Sequence, residues 1–131
     1  MAIRRVQSSE VAEPPPETWS NCLVAGDRVF IAGMTARGAD FKPLAEMDEY
    51  EQARTCLIKI RHLIEEAGGS MADIVRVNIF VTDIRNREEV WRARREFFAG
   101  DFPVSTLVEV SALAAPEMTV EIEAEGVLGG P

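Results

Sequence analysis

At 131 residues and 47% hydrophobic content, the chain is one domain's worth of sequence with enough apolar material for an ordinary core, so residues 1–131 read as a single domain. No apolar run approaches the roughly 18–20 residues that span a bilayer, and the start, Met1-Ala2-Ile3-Arg4-Arg5, leads into polar residues and prolines. No membrane partner and a cytoplasmic location are therefore expected. The net charge of −8 carries no basic stripe beyond Arg92, Arg94 and Arg95, which Glu88, Glu89 and Glu96 dilute, and this argues against nucleic acid as a partner.

Ile3 to Val6 reads as a short edge strand, and Pro14-Pro15-Pro16 then enforces an extended connection. Asn21 to Ala25 and Arg28 to Ala32 are apolar runs joined by Gly26-Asp27, a hairpin signal, with Gly33 following the second strand. Met34 to Met47 reads as a polar, irregular loop. A helix starts near Asp48, which has capping-box spacing to Glu51; Ala53, Leu57, Ile60, Ile64 and Ala67 form its apolar stripe, and Gly68-Gly69 stops it. Cys22 on a strand and Cys56 on this helix read as reduced core thiols. The single histidine, His62, reads as a surface residue; alone, it excludes a multi-histidine metal site, and a Ser-His-Asp triad unless it serves there itself.

Ile74 to Thr82 is expected as a strand, with Val75, Val77, Ile79 and Val81 on one face and Arg76, Asn78, Phe80 and Thr82 on the other. Asn86 and Glu89 repeat the capping-box spacing, opening a second helix to about Ala99 that buries Val90, Ala93 and Phe97. Val104 to Val110 and Thr119 to Val127 are the last two strands, separated by a loop containing Pro116. Helices in such an order cover one side of a sheet, which makes a two-layer α+β domain.

The stretch Phe102-Pro103-Val104-Ser105-Thr106-Leu107-Val108-Glu109-Val110 resembles the signature of the RidA (YjgF) family, and Pro116-Glu117-Met118 and Val120-Glu121-Ile122-Glu123-Ala124 continue it. Glu65-Glu66-Ala67-Gly68-Gly69, Asp73-Ile74-Val75, Phe80-Val81-Thr82-Asp83 and Arg28-Val29-Phe30-Ile31-Ala32-Gly33 agree in order, so the resemblance covers about residues 19 to 127. It implies a chorismate-mutase-like fold, a mixed sheet with two helices on one face, and a homotrimer with clefts between subunits. It also implies cofactor-free and metal-free hydrolysis of enamines and imines, with an arginine gripping the substrate's carboxylate. That arginine aligns with Ser105, the family's usual tyrosine with Trp19, and a frequent asparagine with Trp91. The cleft glycine aligns with Gly33, beside Met34, and the functional carboxylate with Glu121.

Glu121 would orient water and move protons. Ser105 and the Gly33 backbone would bond the substrate, with Met34, Trp19 and Trp91 lining the cleft. The expected activity is hydrolytic deamination of a C=N compound other than the usual α-imino acids. A non-catalytic trimer binding a small metabolite is the alternative, and a ribonuclease is disfavoured by the charge. Arg28, Arg37 and Arg94 are possible substitute cations, each also readable as surface charge.

Overall fold

In the computed structural model, residues 2–38 and 46–129 are described, so residues 39–45 of the expected polar loop lie outside the described residues. The strands are β1 (Ile3–Arg5), β2 (Cys22–Ala25), β3 (Arg28–Met34), β4 (Ile74–Val81), β5 (Val104–Glu109) and β6 (Val120–Val127). They form one sheet in the order β1-β2-β3-β6-β4-β5, in which only β4 and β5 pair in parallel. The helices are α1 (Glu49–Glu66) and α2 (Arg87–Arg94), with short 3-10 turns at Met71–Asp73 and Ile84–Asn86. The α+β reading holds: the helices and the sheet share one core, made from the α1 stripe and from Val29, Ile31, Val77, Ile79, Val120 and Ile122.

α1 begins where its capping chemistry requires. The Asp48 carboxylate accepts from the Glu51 backbone N–H at 2.8 Å, and Glu51 Oε1 accepts from the Asp48 N–H at 3.2 Å. The helix stops where Gly68 takes φ +102, in the left-handed region that favours glycine. Leu57, Ile60, Leu63 and Ile64 are at most 1% exposed, each burial contributing about 1.5–3 kcal/mol. Gln52, 1% exposed, is a satisfied buried amide: it donates to the carbonyls of Met47 and Glu117 and accepts from the Thr119 N–H. This ties the start of α1 to the segment feeding β6.

Four local expectations need correction. Val75 is 46% exposed and Ile74 buried, because Ile74 pairs with Gly126 and Arg76 with Glu125, leaving Val75 as the extra residue of a β-bulge. Gly33 lies within β3, whose pairing with β6 shifts between Ile31 and Met34 and carries the strand on to Met34. Asn86 caps nothing with its side chain; its amide donates to Glu49 at 3.1 Å, joining α2 to the start of α1. α2 ends at Arg94, not near Ala99, as its ladder tightens to three-residue spacing, Glu96 N–H to Ala93 and Phe97 N–H to Arg94.

Candidate functional site

β6 alternates strictly. Val120, Ile122 and Ala124 are buried under α1, so Glu121, Glu123 and Glu125 stand half-buried on the open face of the sheet. The three carboxylates differ in their company. Glu123 accepts from the Asn78 amide at 3.1 Å, and Glu125 sits 3.9 Å from the Arg28 guanidinium. Glu121 takes no hydrogen bond or ion pair among the described residues, and burial, with Glu123 beside it, pushes its carboxyl above the ordinary range. Its side chain lies across Gly33: a Cβ there would come 2.5 Å from Glu121 Oε2. Glycine at this position is what lets the carboxylate lie flat on the neighbouring strand.

At the end of β3, Trp19, Asn21, Gly33, Met34, Arg37 and Lys59 line a cavity of about 70 Å³. Trp19 is 50% exposed and its indole N–H donates to Asn21 Oδ1 at 3.3 Å, while the Asn21 amide donates to the Ala12 carbonyl. Met34 is buried and packs in the core. Lys59 donates to the Thr35 carbonyl at 2.6 Å and to that of Arg37, pinning the chain as it leaves β3; burial pulls its pKa down.

Ser105 and Trp91 belong to a different place. Ser105 pairs with Val77, so it faces the helix side of the sheet, on the edge strand β5. A cleft of about 340 Å³ lies there, between β5 and α2, walled by Arg87, Trp91, Arg94, Phe102, Ser105 and Leu107. Arg94 donates to Ser105 Oγ at 2.8 Å.

The candidate residues thus form two groups that one chain does not bring together. Glu121 and Ser105 are two strands apart, roughly 10 Å at the usual spacing, and on opposite faces of the sheet. The open face carries apolar surface: Phe30 on β3 is 39% exposed, and Val104 and Val108 on β5 are 59% and 41% exposed. In the sequence Arg94 is one of three candidate cations, with Arg28 and Arg37. The signal that singles it out is its spacing to Arg87 and Trp91, which places all three on one stripe of α2. Among the described residues, no three His, Cys, Asp or Glu side chains gather as a metal site would require, and no helix is long and apolar enough to cross a membrane.

Residues 10–127 match the family described as endoribonuclease L-PSP. The fold superposes on a protein of unknown function from Pseudomonas aeruginosa with TM-score 0.88 at 40% identity, covering 97% of this chain and 93% of that one. It superposes on RidA from a Psychrobacter species with TM-score 0.85 at 26% identity, covering 95% and 99%. A 2-iminobutanoate/2-iminopropanoate deaminase from Dermatophagoides farinae is 25% identical over 94% of this chain and 95% of its own length. With the family pattern running through residues 10–127 and the fold shared along nearly the whole length, the chain belongs to the endoribonuclease L-PSP family, the RidA (YjgF) group.

Proposed function

We propose that this protein hydrolyses the C=N bond of a small imine, or the tautomeric enamine, releasing ammonia at clefts between the subunits of a homotrimer. The observation that carries the reading is the half-buried Glu121 carboxyl, unpaired among the described residues and lying across Gly33 on a sheet face that keeps apolar surface open. A carboxyl raised above its ordinary value holds a proton more readily than a free one, which suits it to passing protons to and from a substrate. Glu121, as the carboxylate, takes a proton from water as the water oxygen bonds to the imine carbon, and returns it to the nitrogen that receives the C=N electron pair. The carbinolamine then collapses: its hydroxyl proton passes by way of Glu121 to the amine as the C–N bond breaks, so ammonia leaves and a carbonyl remains. Trp19 walls the cleft on the Glu121 side, while Trp91 and Ser105 face it from the other subunit. A second copy is needed because one chain holds the two groups on opposite faces of its sheet. Gly33 offers its backbone to the substrate, and neither a metal nor an organic cofactor enters the chemistry.

The deaminase naming of the Dermatophagoides relative supports the reaction class. Ser105, where the resemblance implies a guanidinium, moves any cationic grip off β5 and so supports a substrate of different shape from the short α-imino acids in that name. The test pairs sedimentation equilibrium with ammonia release from imines generated in situ by an amino-acid oxidase acting on a panel of amino acids. The expected result is three times the 14.5 kDa chain mass and accelerated ammonia release with at least one imine, but not most strongly with 2-iminopropanoate. A stable monomer at micromolar concentration removes the clefts. A trimer that accelerates no member of the panel favours a binding role without turnover.

A further inference from the structure

We infer that Arg94, carried by α2 and braced by Ser105, is the group that recognises an anion, most simply a carboxylate, on the ligand of the cleft between α2 and β5. The helix sorts its arginines into two classes. Arg92 pairs with Glu89 at 2.7 Å and Arg95 approaches Glu88 at 3.7 Å, so these cations are spent on the helix's own acids. Arg87 and Arg94 have no carboxylate partner among the described residues. Spaced four and three residues from Trp91, they flank its indole, with guanidinium carbons 6.0 and 5.9 Å from the ring centroid. Both line the same cleft, and none of its lining residues is acidic. On a chain of net charge −8, a cleft with two cations and no carboxylate is selective for anions.

Arg94 is held as a recognition group would be. It is half-buried, and its Nε is buried without a hydrogen-bond partner. Its Nη1 is fixed by the Ser105 hydroxyl at 2.8 Å, which leaves Nη2 as the edge of the planar fork open to a ligand. Burial and the neighbouring Arg95 both disfavour its charged form, so an entering anion offsets a cost already present in the folded protein. Serine at 105 has a positive role on this view, since it accepts from a guanidinium that a longer cationic side chain at that position would repel. The anion is then held close to the strand edge, on the helix side of the cleft. The idea rests on the cleft reading above for its substrate, but the binding itself is measurable without turnover.

The experiment titrates the full-length protein with pyruvate, and with neutral pyruvamide as control, by calorimetry or ligand-observed NMR at low and moderate salt. Wild type is expected to bind pyruvate in a salt-sensitive way and to ignore pyruvamide. Arg94→Gln should weaken pyruvate binding by about tenfold or more, the scale of a lost charge-assisted contact. Arg94→Lys should fall between, keeping charge but losing the fork. Ser105→Asp leaves the guanidinium in place and occupies it with an internal carboxylate, so it should abolish binding without removing Arg94. Arg54→Gln, which only breaks a surface pair with Glu96, should bind as wild type. Pyruvate binding unchanged in either Arg94→Gln or Ser105→Asp, equal binding of pyruvamide, or no saturable binding by wild type into the tens of millimolar overturns the inference. Arg94-dependent binding without any imine turnover sinks the hydrolase reading and leaves this one standing. Turnover indifferent to Arg94→Gln does the reverse.

Discussion

Glu121 differs from the two carboxylates that share its strand face in what surrounds it. Glu123 and Glu125 have an amide and a guanidinium to answer them, whereas Glu121 has the Gly33 backbone beneath it. A carboxyl whose folded pKa lies above its unfolded value binds its proton more tightly in the folded protein. It therefore costs stability above the folded pKa, and that cost disappears as pH falls through it into the range where both states are protonated. Glu121→Gln should accordingly raise the melting temperature near pH 7.5 and lose that advantage near pH 4, while lowering turnover about 10²-fold or more. Thermal melts at both pH values, read beside the ammonia assay, check it. A variant destabilised at neutral pH with turnover intact would make Glu121 structural instead. The two cysteines behave differently: burial pushes the Cys22 and Cys56 thiols up to about 11 and about 12, so both are poor nucleophiles and belong to the core.

At the scale of elements, capping chemistry separates the two helices. Asp48 and Glu51 complete a reciprocal box, and the carboxylate also sits at the positive end of the helix dipole. Asp48→Ala should cost about 1 kcal/mol, measured as a shift in the urea midpoint at constant slope. It should not change the oligomeric mass, because the side chain is on the protein's own helix start. Asn86, with the same spacing to Glu89, should show no such cap energy; its side chain serves the contact with Glu49. Spacing alone does not distinguish the two cases. The outcome depends on whether a neighbouring helix offers the amide a better acceptor, which is a tertiary fact.

For the whole molecule, the distribution of charge decides partners more than the fold does. The family takes its name from an endoribonuclease, yet this chain carries 22 acidic against 14 basic side chains, and much of its basic set is already committed to internal pairs. Arg5, Arg54, Arg85, Arg92 and Arg95 all face carboxylates of the same chain. Phosphate binding draws its affinity from cations free to displace counterions. A filter-binding titration with single-stranded RNA near physiological salt should therefore show no saturable uptake, and freshly purified protein should leave that RNA intact. Salt-sensitive micromolar binding would mean that assembly gathers a basic surface that the single chain does not possess.

Most of the architecture was legible from local pattern. The α1 stripe, the Gly26-Asp27 turn, the order of strands and helices and the α+β class all follow from periodicity and turn residues, because those signals are set within a few residues of chain. The family signature around Ser105 and Glu121 could likewise be read directly. The bulge that exposes Val75 could not, because a bulge is a mismatch between two strands far apart in sequence, here Ile74–Arg76 against Glu125–Gly126. Nor could the division of the candidate residues between two faces of the sheet, which follows from the pairing register of β5 and β6 with β4. Arg94 falls in the same class. In sequence it is one arginine in a run with Arg92 and Arg95; only the folded structure shows that those two are answered by Glu89 and Glu88, while Arg94 reaches the Ser105 hydroxyl in a cleft without acids. Local signals specify elements because their energetics are local, whereas a site is a set of long-range contacts that exists only once those elements have packed.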